Sequence, residues 1–169
     1  EQPPLTHIKA LVIDMDGVLW RGDTPRPGLK NFFNTLKARQ ISYIFATNNA
    51  TKTQDQYVEK FAKFDVSIDP DQVVTSSLAT AAYLKDNYKP GTRFHVVGQD
   101  GIRQAILAAG LEIGDTDIAG VVVGLDFELT YEKLRTAAIL INKGADFIGT
   151  NDDLTFPFED GIAPGNGAI

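Results

Sequence analysis

Cysteine is absent from the 169 residues. That excludes disulfides, zinc–thiolate sites, iron–sulfur clusters and a cysteine nucleophile together. No apolar run approaches the ~20 residues of a membrane-spanning helix. Positive charge is in deficit: 16 Lys and Arg stand against 22 Asp and Glu, a formal net charge of −6. The basic footprint of a nucleic-acid binder is therefore missing. Histidine is scarce, and His7 and His95 are isolated in sequence, so structural roles are expected for both. Glu1–His7 carries two prolines and neither a charged n-region nor an apolar h-region, so no signal peptide is expected and a cytoplasmic location is. What remains is ordinary globular composition, 43% hydrophobic and 22% charged. The length suits one domain or two small ones.

The positive signal is an alternation of β and α patterns. Ile8–Asp14 is a short apolar run stopped by a turn, the pattern of a buried strand. Leu29–Arg39 places Phe32, Phe33 and Leu36 at helical spacing, just after Pro27 and Gly28. Ser42–Ala46 predicts a second strand, Thr53–Phe64 a helix, Gln72–Thr75 a third strand and Leu78–Tyr88 a third helix. Lys89-Pro90-Gly91 punctuates the chain, and the rhythm then restarts. Phe94–Val97, Gly120–Gly124 and Phe147–Thr150 predict strands. Gly101–Ala109 and Tyr131–Lys143 predict helices, each followed by a glycine suited to a C-terminal cap. Asn151–Ile169 predicts a loop. This alternation means parallel sheets covered by helices. A domain boundary is expected near Tyr88–Thr92, giving parts 1–89 and 90–169.

The chemistry-bearing segment is LVIDMDGVLW, Leu11–Trp20. An apolar strand delivers Asp14 and Asp16 at its carboxyl end, and Gly17 follows. In open parallel sheets ligands bind at that end. Two carboxylates one residue apart can share a site, one attacking or binding metal while the other moves a proton. By itself the pattern reads more readily as a polar turn, since Asp and Gly are turn residues. The next strand ends in FATNN, Phe45–Asn49, which sets Thr47 at a second carboxyl end. Thr47 is either a phosphate donor there or a turn and N-cap residue. Asp14 and Thr47 lie 33 positions apart, the span of one βαβ unit.

With DMDGVLWRGD (Asp14–Asp23), FATNN, VVTSSLATAAYL (Val73–Leu84), VVGQDGIRQAILAAGL (Val96–Leu111) and VVVGLDFELTYEKL (Val121–Leu134), the chain resembles the haloacid dehalogenase superfamily. Within it the likeness is to the p-nitrophenylphosphatase and phosphoglycolate phosphatase branch. GTNDDLTFP (Gly149–Pro157) and APGNGAI (Ala163–Ile169) continue the likeness. The resemblance implies an α/β fold with a parallel, Rossmann-like sheet core and an inserted α/β cap. It implies that Asp14 attacks phosphorus to form an aspartyl-phosphate. Asp16 would protonate the leaving alcohol and then deprotonate the hydrolytic water. Mg²⁺ is the implied cofactor, held by the Asp14 carboxylate and the Asp16 main-chain carbonyl. Thr47, with the backbone around Met15, Asp16, Gly17 and Asn48, would hold phosphate oxygens. Relatives that break carbon–halogen bonds lack the second aspartate, because halide leaves without a proton. The presence of Asp16 therefore favours a phosphate ester.

Only a helix fits between Asp14 and Thr47, so the cap is expected in the α/β run after Pro90, as the larger, C2 type. Phe156, in the Asp152–Phe158 segment, is the candidate substrate-facing cap residue, with plain packing as its alternative. It stands where a pyridoxal phosphate phosphatase would carry histidine. Trp20 and Arg21 are expected on a small flap, with Trp20 either a lid or a packed anchor. Asn151-Asp152-Asp153 lacks the preceding Gly-Asp of the family's acidic motif and is set aside. Asn49-Ala50-Thr51 fits the glycosylation pattern but overlaps the phosphate-binding segment. The family's Gly-Lys-Pro lysine and its acidic Gly-Asp…Thr-Asp segment have no match in these residues, and Ile169 falls where a cap helix would begin. The expectation is the first part of a longer phosphatase acting on a small-molecule phosphate ester. The alternative is a shortened, non-catalytic phosphate- or partner-binding relative. A receiver-like domain fits the Asp-x-Asp-Gly order poorly. A homodimer through the cap is what the resemblance implies.

Overall fold

The computed structural model describes residues 7–158 and 161–169. Residues 1–6, the bulk of the segment considered for a signal peptide, lie outside it. The chain forms two compact units. The first comprises residues 1–47 and 55–74, and the second 48–54 and 75–169.

In the first unit, β1 (Ala10–Ile13) leads into a tight turn and a two-stranded ribbon of β2 (Trp20–Arg21) and β3 (Thr24–Pro25). Helix α1 (Leu29–Ala38) starts after Gly28, whose φ of 82° suits glycine. It buries Leu29, Phe33 and Leu36 on one face. β4 (Ser42–Thr47), α2 (Gln54–Ala62) and β5 (Val73–Thr75) follow, and the sheet order is β1-β4-β5. β1 and β4 are parallel, with Leu11 beside Tyr43 and Ile13 beside Phe45. Those residues pack on an aromatic core of Trp20, Phe33, Phe45, Tyr57 and Phe61. Val12 and Ile44, paired on the other face, are exposed.

The second unit begins with α3 (Ser76–Asn87), capped by the Thr75 hydroxyl accepting from the Leu78 N–H. A four-stranded parallel sheet follows, in the order β7-β6-β8-β9, built from β6 (Arg93–Val97), β7 (Glu112–Ile113), β8 (Gly120–Val123) and β9 (Asp146–Gly149). Helices α4 (Asp100–Ala108) and α5 (Tyr131–Asn142) alternate with the strands. The apolar run in β8 is wholly buried, as a central parallel strand requires. His95 on β6 is buried and bonded to Asp115 at 2.7 Å, in keeping with a structural role.

Two differences from the sequence pattern stand out. Asn151–Ile169 is not all loop: β10 (Thr155–Phe158) and β11 (Gly161–Pro164) form an antiparallel hairpin. Proline is tolerated in such a two-stranded pair because an outward N–H has no ladder partner to lose. A buried Asn166 anchors the segment beyond it, donating to the carbonyls of Asn151 at 2.7 Å and Val123 at 3.2 Å. Second, the packing division falls at Val74–Thr75 instead of Tyr88–Thr92, because α3 packs with α4 and Leu84 joins the Phe94–Ile102–Ile106 cluster. Among the described residues no helix is long and apolar enough to cross a membrane.

Candidate active site

The register of β1 and β4 decides the geometry. Ile13 stands beside Phe45, so the two strands reach their carboxyl ends together. Asp14 follows β1 directly and Thr47 closes β4. The first unit thus gathers Asp14, Met15, Asp16, Gly17 and Thr47. Asp14 and Asp16 are exposed, while Thr47 is buried.

The turn after β1 is tightly bonded. Asp14 Oδ1 accepts from its neighbour's N–H, Met15, at 2.8 Å. The Met15 side chain is fully buried, which pins the turn to the core. The N–H groups of Val18 and Leu19 both reach the Met15 carbonyl, at 3.2 and 2.9 Å. Gly17, at φ 83°, donates its N–H to the Trp20 carbonyl at 2.8 Å, and its own carbonyl accepts from Arg26. A side chain at that φ would be strained, so the Gly of Asp-x-Asp-Gly is required by the turn itself.

Three residues beneath the turn were not fully legible in the sequence. Trp20 is a packed anchor, with no exposed surface, and its indole Nε1 donates to Asp16 Oδ1 at 2.7 Å. Lys60 is buried on α2, with its ammonium 4.7 Å from the Trp20 ring centre and 2.8 Å from the Gly22 carbonyl. Tyr57, one helical turn earlier, is buried with its hydroxyl lacking a partner of good hydrogen-bond geometry among the described residues. Burial drives the Tyr57 pKa upward, and the nearby charges of Asp16 and Asp14 add to this while Thr47 opposes it. The phenol is held neutral. A polar residue on the apolar face of Thr53–Phe64 was the available signal for Tyr57, and a lysine there was the signal for Lys60.

The remaining candidates belong to the second unit. Asn48 is exposed; its carbonyl accepts from Ser76 Oγ at 2.7 Å and Asn151 Nδ2 at 2.9 Å, and its amide donates to Asp153. Asp153 is thus engaged in a hydrogen bond between loops, and Asn151 Oδ1 accepts the Asp153 N–H. Phe156 sits half-buried on β10 in an aromatic triangle with Phe127 and Phe158, at centroid distances of 6.2 and 5.8 Å. Phe127 and Phe158 are exposed.

As a metal site the first unit offers hard oxygen donors, the Asp14 carboxylate and the Asp16 main-chain carbonyl. Oxygen donors of this kind suit Mg²⁺, which keeps several waters. No group of three or more His, Cys, Asp or Glu positioned to hold a metal occurs among the described residues. The donors fit Mg²⁺ in kind and would supply part of its shell.

The family model for haloacid dehalogenase-like hydrolases matches residues 11–112. The acid sugar phosphatase of Staphylococcus aureus is 42% identical over 166 residues, covering 98% of this chain and 64% of that protein. The fold is similar to that of a 4-nitrophenylphosphatase from Thermotoga maritima, with a TM-score of 0.89 and 32% identity over 96% of this chain and 62% of that one. It is also similar to a glycerol phosphate phosphatase from Mycobacterium tuberculosis solved with calcium, with a TM-score of 0.85 and 30% identity over 95% of this chain and 48% of that one. The chain therefore spans less than two thirds of the length of these relatives.

Proposed function

The chain belongs to the haloacid dehalogenase-like hydrolase family, and from that premise we propose that the protein of which it is part hydrolyses small phosphomonoesters. The observation that carries the reading is the shared end of β1 and β4, where Asp14, Asp16 and Thr47 come together. Sugar and polyol phosphates head the list of substrates, because relatives carry those names. Residues 90–169 are read as the cap that selects the leaving group, with Phe156 as a candidate contact.

In this mechanism the Asp14 carboxylate attacks phosphorus. As the ester P–O bond breaks, its electron pair stays on the leaving oxygen, which takes the proton of Asp16. The resulting Asp16 carboxylate removes a proton from water while the water oxygen bonds to phosphorus. The Asp14–phosphorus bond then breaks, releasing inorganic phosphate and restoring both aspartates. Thr47 and the main chain around Met15, Gly17 and Asn48 orient the phosphoryl group. Here the Met15 and Gly17 N–H groups already bond to Asp14 and Trp20, so these two act chiefly by fixing the turn. Mg²⁺, held by Asp14 and the Asp16 carbonyl, would neutralise phosphate charge when bound.

The full-length protein with Mg²⁺ should release phosphate from a panel of phosphomonoesters, and Asp14→Asn should cut the rate by about 10⁴-fold or more. Silence across the panel, or an active Asp14→Asn variant, would overturn the reading. The 169 residues alone are expected to turn over little.

A further inference from the structure

The indole of Trp20 makes one bond that packing alone does not require it to make with an acid. A buried Trp N–H needs an acceptor, and a carbonyl would serve. This one reaches Asp16 Oδ1, at 2.7 Å. That length is typical of hydrogen bonds to ionisable groups.

The ring has no freedom to leave. Phe61 meets it edge-on at 5.0 Å between centroids, and Phe64 packs at 5.8 Å. The Lys60 ammonium lies 4.7 Å from the ring centre and is itself tied to the Gly22 carbonyl. Backbone geometry adds a second constraint, since Asp16 and Trp20 bridge each other across a turn closed by Gly17. The two carboxyl oxygens of Asp16 are therefore not equivalent. Oδ1 is committed as an acceptor to a donor fixed in the core.

We propose that Trp20 is a positioning residue that reserves Asp16 Oδ1, so that the proton exchanged with the ester oxygen is carried on Oδ2. The inference rests on the phosphatase reading above. In the forward step the Oδ2–H proton passes to the leaving oxygen as the P–O bond breaks. In the return step Oδ2 receives a proton from water. Oδ1 keeps its indole bond throughout, so the carboxyl group does not rotate between steps. Lys60 supports this at one remove, by holding the ring from the side of the ribbon.

Leaving groups that differ in basicity provide the test, on the full-length enzyme with Mg²⁺. p-Nitrophenolate departs without needing a proton, whereas the alkoxide of glycerol phosphate needs one. Trp20→Phe keeps a ring and removes the donor. It should lower the single-turnover rate of glycerol release from glycerol phosphate by about 10- to 100-fold, as a misplaced general acid would. On p-nitrophenyl phosphate the single-turnover release of p-nitrophenolate, which precedes the water step, should change by no more than about threefold. Benzothienylalanine at position 20 keeps the shape of the indole without its N–H. It should show the same split, and it decides the matter if Trp20→Phe does not fold. Equal losses on both substrates, or no loss on either, would overturn the proposal and leave Trp20 a packing residue. Wild-type enzyme inactive on both substrates would instead remove the phosphatase reading, and the inference with it.

Discussion

The two units solve the same packing problem with different residues. The first is built on aromatic rings: Trp20, Phe33, Phe45, Tyr57 and Phe61 pack at centroid distances of 4.5 to 5.9 Å where they meet. The second is aliphatic, with Val96, Val97, Val121, Val122, Val123, Ile102 and Ile106 buried around its sheet and Phe94 the one fully buried ring among its described residues. The difference tracks chemistry. Trp and Tyr carry a polar tip on an apolar body. In the first unit the Trp20 tip donates to Asp16, so the core reaches the candidate site directly. The second unit leaves aromatics outside, as the exposed Phe127 and Phe158 show.

The comparison can be broken by deletion in each core. Phe61→Ala should destabilise the first unit by about 3–5 kcal/mol, because the ring touches Trp20, Phe33 and Phe45. Urea denaturation read by the Trp20 fluorescence is the check, and a loss below about 1 kcal/mol would deny the aromatic core its role. In the second unit the tight point is backbone. A Cβ at Gly101 would lie 2.4 Å from the Ala50 carbonyl oxygen, and the Gly101 N–H already bonds to the Thr51 carbonyl at 3.0 Å. Gly101→Ala should cost about 1–3 kcal/mol by overpacking, seen as faster hydrogen exchange in α4. Lys60→Met is expected to cost about 1–2 kcal/mol by leaving the Gly22 carbonyl without its partner. Methionine fills similar space, so a stabilised variant would mean that the ammonium is a burden here.

The smallest effect concerns alkaline pH. The folded Tyr57 has a raised pKa, so the fold binds more protons than the unfolded chain above about pH 10. Its stabilising contribution is complete below the unfolded value and is lost as pH rises toward the folded one. Tyr88 in the second unit follows the same sign, pushed up to about 12 chiefly by its hydrogen bond to Asp146 and then by burial. Tyr57→Phe should flatten the fall in stability above about pH 10 without abolishing it. An unchanged slope in denaturation titrations would show that Tyr57 does not titrate with unfolding.

Much of the fold could be read from periodicity. The strands ending at Asp14 and Thr47 are short apolar runs with abrupt polar stops, and side-by-side pairing follows from one βαβ span. The pair Asp14 and Asp16 was legible from pattern and spacing as a candidate site beside Thr47, and its roles came only with the family resemblance. The hairpin of β10 and β11 was hidden, because Pro157, Gly161 and Pro164 read as breakers, and a two-stranded pair tolerates what a central strand would not. The grouping of α3 with the second sheet was hidden for another reason. Its buried residues include Ser77, Thr80 and Ala81, small side chains that give little periodic signal. The bond from Trp20 to Asp16 depends on which way a ring points, and sequence spacing is silent on that.

The segment 48–54 belongs to the second unit although its flanks, up to 47 and from 55, belong to the first. In time, this has a cost. The first unit is complete in sequence once Val74 has been made. Asn48 meets Asn151 and Asp153 only across 103 and 105 residues. At synthesis rates of ~5–20 residues per second, those partners arrive ~4–16 s later. During that interval the stretch just past Thr47 has its outer fastenings still to be translated, and a nascent chain arrested near residue 110 should be cleaved there by protease while Trp20 is already buried. The end of β4 is thus among the earliest parts of the molecule to be placed, while the residue after it gains its bond from Ser76 early and its bonds with Asn151 and Asp153 late.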